Sequence, residues 1–181
     1  MKIITGKYKG RKIDGFTLPG TRPTMDRVKE SLFAMIQNNI SESIVLDLFS
    51  GSGNLGIEAL SEGAKEAFLV DNNYHAIQMI KKNMKELNIS NATFLYMDYQ
   101  KALDYFKNNK NTFDLIFLDP PYQTNYIEKS INLIEKNELL NNDGIIICES
   151  DSLEKIKYSN VWKNVKEKKY GDKYIVLLQK I

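Results

Sequence analysis

A strand, a glycine-rich turn and a helix follow one another in the stretch IVLDLFSGSGNLGIEAL, residues 44–60. Its first part, Ile44–Phe49, is a short apolar run typical of a strand that is covered on both faces. The turn contains G-x-G-x-x-G at Gly51, Gly53 and Gly56. Glycines at such positions allow a tight turn and let a ligand approach the backbone at a helix N-terminus. The stretch therefore predicts the first unit of a ligand-binding α/β fold.

The same rhythm continues for the next 100 residues. Strands are predicted at Ala67–Asp71, Thr93–Met97, Phe113–Asp119 and Ile145–Glu149, and helices at Leu55–Glu62, Tyr74–Leu87, Gln100–Lys107 and Tyr126–Lys136. Regular alternation of strands and helices predicts a parallel, doubly wound sheet. Val161–Tyr170 and Lys173–Gln179, separated by Gly171-Asp172, predict a final hairpin that adds one antiparallel strand. This seven-stranded, mostly parallel α/β arrangement resembles the Rossmann-like fold of class I S-adenosylmethionine-dependent methyltransferases.

Positive charge is concentrated at the N-terminus. Residues 1–30 hold eight basic and three acidic side chains, a net +5, although the whole chain carries only +2. Short apolar pieces separated by glycines predict a small hairpin or arm over residues 1–23, with exposed lysines and no part in the core. A helix from Thr24 to Asn38 then opens a single domain, residues 24–181. A basic arm on a mildly acidic body is typical of a protein that meets a polyanion, although chance explains the charge alone equally well.

Composition excludes several classes of protein. The 181 residues, 43% hydrophobic and 27% charged, fit one ordinary globular domain. No apolar run approaches the roughly 18 residues of a membrane span, and the start lacks the apolar segment of a secretory signal. One cysteine, Cys148, and one histidine, His75, cannot form a Cys/His zinc site. We therefore expect a cytoplasmic, metal-free protein that does not contact a membrane, and we expect it to be a monomer.

Carboxylates end three successive predicted strands, at Asp47, Asp71 and Asp98. The carboxyl ends of parallel strands meet at the crevice where such sheets bind ligands. Asp71 is suited to accept hydrogen bonds from ribose hydroxyls and Asp98 from an adenine amino group, although helix capping would explain one such position. The full predicted cofactor-binding set is Asp47, Phe49, Gly51, Ser52, Gly53, Asp71, Asn72, Asp98 and Tyr99. These residues suit NAD and S-adenosylmethionine equally well, so they do not identify the ligand.

The fourth strand ends in a more specific motif, Asp119-Pro120-Pro121-Tyr122. The prolines stiffen the turn and lack N–H donors, which leaves the Asp119 carboxylate and the Pro120 carbonyl as neighbouring acceptors for an NH2 group. The Tyr122 ring offers a face for base stacking. An amine held in this way can direct its lone pair at the activated methyl of S-adenosylmethionine. The motif predicts methyl transfer to a nucleobase amine with these four residues as the catalytic set; a capping aspartate on a stiff loop is the structural alternative.

A family resemblance extends over nearly the whole chain. The segments Arg22–Thr24, Asp26–Phe33, Asp47–Gly53, Leu55–Ala59 and Phe113–Tyr122 together resemble the RsmD-type bacterial 16S rRNA guanine-N2 methyltransferases. The resemblance implies methylation of the 2-amino group of a guanine, guanine 966, in 16S rRNA of the small ribosomal subunit or its assembly precursor. It also implies that residues 22–33 cover cofactor and substrate. The predicted RNA-binding residues are Lys7, Lys9, Arg11, Arg22, Thr24 and Arg27.

Three other functions remain to be considered. A DNA adenine-N6 methyltransferase would use the same two acceptors, but no insertion here is long enough for a target-recognition segment. An NAD-dependent oxidoreductase would need residues that handle a hydride, and the sequence offers none. A non-catalytic RNA-binding module with a vestigial pocket is disfavoured by the intact Asp119 and glycines.

Overall fold

The computed structural model describes residues 1–15, 26–122 and 124–181, which contain a seven-stranded sheet. Its strands are β1 (Ile44–Asp47), β2 (Glu66–Asp71), β3 (Ala92–Tyr96), β4 (Phe113–Leu118), β5 (Leu140–Ser150), β6 (Trp162–Tyr170) and β7 (Lys173–Lys180). They lie in the order β3-β2-β1-β4-β5-β7-β6. Strands β1 to β5 are parallel, whereas β7 is antiparallel to both of its neighbours. The predicted α/β fold, with one antiparallel strand from a final hairpin, is confirmed.

Helices cover both faces of the sheet. They are α1 (Asp26–Ile36), α2 (Asn54–Ser61), α3 (Tyr74–Glu86), α4 (Tyr99–Asn108) and α5 (Tyr126–Lys136), with 3-10 turns at Gln37–Asn39 and Leu153–Lys155. Because neighbouring strand residues point to opposite faces, Leu115 and Phe117 pack with α1, α2 and α3, while Ile116 and Leu118 pack with α4 and α5. Within the described ranges, none of the helices has the length and apolarity needed to cross a bilayer.

Strand β5 is longer than predicted. Apolar patterning indicated Ile145–Glu149, but the strand begins at Leu140, which pairs with Phe113 before the register shifts. The first four residues of β5 are partly or fully exposed, and only the part from Gly144 onward is buried. A continuous run of apolar residues does not mark a strand whose first four residues are exposed or partly exposed.

The N-terminal segment is a small hairpin, closed by an antiparallel bridge between Lys2 and Lys12. Both lysines are exposed, but the expectation that this segment takes no part in the core is wrong. Ile3 and Ile13 are 0% and 4% exposed and belong to the core cluster on the α1, α2 and α3 side. Lysines and glycines dominate the segment, yet its two inward isoleucines are enough to bury one face. Its predicted boundary at residue 23 and the helix start at Thr24 lie outside the described residues.

A buried lysine joins this hairpin to α1 and α2. Lys29 is 0% exposed, and its Nζ lies 2.7 Å from the Lys2 carbonyl oxygen, 2.8 Å from Asn54 Oδ1 and 2.7 Å from Glu58 Oε2. Glu58 also accepts hydrogen bonds from the backbone of Ile4 and Thr5. Buried charges need such partners because desolvation is costly. The network fixes the hairpin beside the helix that follows the glycine turn.

Candidate active site

The glycine turn between β1 and α2 adopts backbone conformations that favour glycine. Gly51 and Gly53 have φ values of 53° and 82°. A Cβ on Gly53 would come within 3.2 Å of Ile80 and Leu69, whereas a Cβ on Gly51 would point into open space. Gly53 therefore satisfies packing below the turn, and Gly51 leaves room above it for a ligand to approach.

Two carboxylates hold this turn through backbone N–H groups. Asp71, at the end of β2, accepts from Gly51 N at 2.8 Å and from Asn73 N at 2.8 Å. Asp47, at the end of β1, accepts from Gly56 N at 3.0 Å and is 1% exposed. Burial raises the pKa of Asp47 to about 7, although the bond from Gly56 opposes the shift. Burial also raises the pKa of the Asp71 carboxyl. Asp47 thus lies beneath the turn, and Asp71 lies beside it.

The third predicted carboxylate caps a helix. Asp98 Oδ1 accepts from Gln100 N at 2.8 Å at the start of α4. The next residue, Tyr99, is buried among aromatic rings, with centroids 5.3 Å from Phe49 and 4.9 Å from Tyr126. Burial, with the nearby Asp98 charge, raises the pKa of the Tyr99 hydroxyl. Tyr126 was not in the predicted cofactor-binding set. Its position at the start of an amphipathic helix does not indicate contact with the end of the first predicted strand.

The Asp119–Tyr122 turn directly follows β4. Pro120 is buried, and Asp119, Pro121 and Tyr122 are partly exposed. The turn is fixed by side chains from elsewhere in the chain. Tyr122 Oη donates to Glu149 Oε1 at 3.0 Å, and Lys155 Nζ donates to the Tyr122 carbonyl oxygen.

A buried ion pair lies against the Tyr122 ring. Glu149 and Lys173, with side chains 2% and 4% exposed, are in direct contact, and Lys173 Nζ lies 5.5 Å from the centre of the Tyr122 ring. Sequence reasoning treated both residues only as strand ends. The one available signal was an acidic residue ending an apolar strand, as at Asp71. The lysine partner of Glu149 is 24 residues away, at the start of β7. No local sequence pattern indicates that contact.

The predicted cofactor-binding and catalytic residues share one edge of the sheet, the carboxyl ends of β1, β2, β4 and β5, which we call the catalytic edge. Strands β1 and β4 are parallel neighbours in which Asp47 pairs with Phe117, two residues before Asp119. Asp71 ends the flanking strand β2, and Glu149 is the last residue but one of the flanking strand β5. The structure thus brings the glycine turn and the Asp119–Tyr122 turn side by side, as parallel strands require.

The tip of the N-terminal hairpin, which carries Lys7, Lys9 and Arg11, lies at the opposite edge of the sheet. Lys7 N donates to the Ser61 carbonyl oxygen at 2.7 Å, and Arg11 Nη2 donates to the Glu86 carbonyl oxygen at 3.0 Å. Ser61 and Glu86 are the last residues of α2 and α3. Eight residues of helix span about 12 Å, so this contact is remote from the glycine turn at the start of α2. Lys7, its exposed neighbour Lys9, and Arg11 are not brought to the catalytic edge.

The remaining predicted residues are only partly described. Arg27 is exposed on the first turn of α1, and Asn72 is exposed after β2. Arg22 and Thr24 lie outside the described residues. Where side chains are described, no three His, Cys, Asp or Glu residues are grouped so that they could hold a metal ion.

Comparison with protein families supports the resemblance found in the sequence. The family model described as Conserved hypothetical protein 95 matches residues 1–179. A Bacillus subtilis protein named "Putative rRNA methyltransferase YlbH" is 41% identical over 152 residues, 83% of each chain. The Haemophilus influenzae protein "Ribosomal RNA small subunit methyltransferase D" is 36% identical and is matched over 94% of this chain and 89% of its own.

Solved structures share the fold. "Putative methyltransferase yhhF from Escherichia coli" superposes with a TM-score of 0.87 at 31% identity, covering 99% of this chain and 97% of its own. A structure titled "SMU.776, a putative methyltransferase complexed with SAH" gives a TM-score of 0.70 at 18% identity. It covers 90% of this chain and 50% of its own. At that identity the second likeness concerns the fold alone.

Proposed function

The chain belongs to the family described as Conserved hypothetical protein 95, the RsmD-type family of rRNA methyltransferases, and we propose that it methylates the N2 amine of a guanine in 16S rRNA. The methyl donor is S-adenosylmethionine. The target is guanine 966 in the small ribosomal subunit or its precursor. The enzyme acts as a monomer in the cytoplasm, where that subunit is assembled.

The glycine turn fits the donor. The open space above Gly51 and the carboxylate of Asp71 beside it suit a ligand that presses against backbone and offers ribose hydroxyls. Phe49 and Tyr99 supply an apolar wall on the α4 side for an adenine ring. When bound, S-adenosylmethionine supplies an activated methyl group, so that this chain needs only to position the acceptor amine.

The Asp119–Tyr122 turn would hold the acceptor. The Asp119 carboxylate and the Pro120 carbonyl accept the two amino hydrogens, which concentrates the nitrogen lone pair on the side of the donor. One face of the Tyr122 ring lies against Lys173, and the guanine stacks on the opposite face. The methylated amine is strongly acidic and passes its extra proton to Asp119 or to water.

The observation that carries the proposal is the adjacency of these two turns on neighbouring strands. Its test is incubation of the protein with labelled S-adenosylmethionine and, in parallel reactions, small subunits from cells that lack the enzyme or duplex DNA, followed by mass spectrometry of the nucleosides. We expect label in N2-methylguanosine of 16S rRNA. Label in N6-methyladenine of duplex DNA would assign the enzyme to the alternative class, and unlabelled RNA would contradict the proposal.

A further inference from the structure

The lysine-rich end of the final hairpin lies at the catalytic edge. We give the name hairpin surface to the side chains on both sides of the outer edge of this hairpin: Lys166, Lys168 and Tyr170 on the α1 side of the sheet, and Lys169 and Tyr174 on the opposite side. We propose that this surface binds the RNA strand that flanks the target base, through its phosphates and bases. The identity of the RNA rests on the proposed function, whereas the positions of these side chains do not depend on that function.

Position is the first argument. Strand β7 begins at Lys173, the residue that contacts Tyr122 and Glu149. Lys169 pairs with Tyr174, and Lys168 pairs with Ile175, so both lysines lie within two residues of Lys173 in the strand register. At about 3.4 Å per residue, they are roughly 7 Å along the strand from the residue that contacts the Tyr122 ring.

Charge is the second argument. Strand β6 carries four lysines and one glutamate, and its side chains from Lys163 to Lys169 are exposed. Two of these lysines are combined with aromatic rings, one pair on each side of the outer strand: Lys168 Nζ lies 5.1 Å from the centre of Tyr170 on the α1 side, and Lys169 Nζ lies 5.1 Å from the centre of Tyr174 on the opposite side. Ammonium groups interleaved with partly exposed rings suit single-stranded RNA, which offers phosphates and unstacked bases.

Contacts with α1 are the third argument. Ser31 on α1 hydrogen-bonds to the Tyr170 hydroxyl and lies 3.4 Å from Lys168 Nζ. Arg27 is four residues before Ser31 and therefore on the same side of the helix. The predicted RNA contact at Arg27 thus continues the hairpin surface, whereas Lys7, Lys9 and Arg11 do not.

A structural role for the lysines makes a different prediction. Strand β6 is one of the two outer strands of the sheet among the described residues, and exposed lysines on outer strands prevent pairing between molecules. That role predicts association or aggregation when the lysines are removed, with no change in RNA affinity or its salt dependence.

The experiment compares three triple variants. Lys166→Ala/Lys168→Ala/Lys169→Ala alters the hairpin surface, and Lys7→Ala/Lys9→Ala/Arg11→Ala alters the arm. The matched control is Lys85→Ala/Lys107→Ala/Lys136→Ala, which removes three exposed lysines from the last turns of α3, α4 and α5. Binding to isolated small subunits and to a labelled single-stranded 16S rRNA oligonucleotide is measured by fluorescence anisotropy between 50 and 200 mM salt, together with KM and kcat of methylation.

We expect the hairpin-surface variant to bind both RNAs about tenfold more weakly and to lose about two units of the log–log salt slope, since each single-strand phosphate contact contributes roughly 0.7. Its KM should rise with kcat nearly unchanged, and the control should shift less than twofold. Equal losses in the control, or an unchanged slope in the hairpin variant, would overturn the inference. Should the wild-type protein bind RNA through this surface and yet methylate no subunits, the proposed function would fail and the inference would stand.

Discussion

The two turns at the catalytic edge are held in place by different means. The glycine turn is held through its own backbone N–H groups, because Gly56 and Gly51 donate to Asp47 and Asp71, nine and 20 residues away. The Asp119–Tyr122 turn is fixed by side chains from β5 and β7, through the buried Glu149–Lys173 pair behind the Tyr122 ring. Both turns therefore depend on contacts between strands, but the carboxylates that hold the first turn are marked in the sequence as strand ends, whereas the Glu149–Lys173 pair that supports the second is not marked by a local motif.

The difference also concerns charge. On the cofactor side, burial raises the pKa values of the Asp47 and Asp71 carboxyls. On the acceptor side, the buried carboxylate of Glu149 is matched by Lys173. Disturbing the first side should change how stability responds to pH, and disturbing the second should change stability itself.

The largest effect is expected at Asp119. Asp119→Ala removes the proposed acceptor for the hydrogens of the reacting amine, so kcat should fall by about 10²–10³-fold or more. The dissociation constant for S-adenosylmethionine, measured by calorimetry, should change little. Asp71→Ala is the matched variant on the cofactor side and should weaken cofactor binding. Equal loss of cofactor affinity in both variants would remove the distinction between the two turns.

Next comes Lys173→Met, which leaves Glu149 buried without its cation. Unpaired buried charges cost about 3–5 kcal/mol, and urea unfolding should detect that loss. The double variant Lys173→Met/Glu149→Gln should recover much of it. Lys180→Met, at the exposed end of the same strand, is the control and should be nearly neutral. A Lys173 variant as stable as that control would show that the pair does not support the turn.

A pH-dependent effect is expected at Asp47. Its folded-state pKa of about 7 exceeds the unfolded value near 4, so the native protein holds a proton that the unfolded chain has released. Stability should therefore decrease as pH rises through this window, by about 2 kcal/mol between pH 4.5 and 6.5. Asp47→Asn retains an acceptor for Gly56 N and should flatten that part of the profile relative to wild type. Parallel profiles for the two proteins would contradict the raised pKa.

The smallest effect is expected at Asp98. Loss of its cap on α4 should cost about 1 kcal/mol in Asp98→Ala. Asn73→Ala removes the equivalent cap from α3, where the side chain accepts from His75 and Ala76, and should cost a similar amount. Only the Asp98 variant should also bind S-adenosylmethionine more weakly. If the two variants match in affinity as well, Asp98 is a helix cap alone.

Much of the fold was predictable because its signals are local. Apolar runs and helical spacing gave the order of the elements, and Tyr126–Lys136 was predicted with the bounds that the structure has. The start of β5 at Leu140 was missed because the first four residues of this strand are exposed or partly exposed. The burial of Ile3 and Ile13 was missed because lysines and glycines dominate their surroundings, and a two-residue apolar face has no periodicity to detect.

The candidate site divides in the same way. The positions of Asp71 and Asp119 at this edge could be predicted because each ends a predicted strand, and that of Gly51 because it lies in the turn that follows one. Lys173 and Tyr126 could not, because their contacts join distant parts of the chain. The net charge of the N-terminal arm favoured it as an RNA contact, but charge along the sequence does not say where the arm lies in the fold. The structure is needed to show that Lys7 is far from the catalytic edge.

The central claim is that the Asp119 carboxylate and the Pro120 carbonyl grip a base amine beside the bound donor. A crystal structure of the protein with S-adenosylhomocysteine and guanosine monophosphate tests it most directly. The account predicts the guanine N2 within about 2.7–3.2 Å of both oxygens, with the base against the Tyr122 ring. A guanine bound with its 2-amino group directed away from these two oxygens would contradict it.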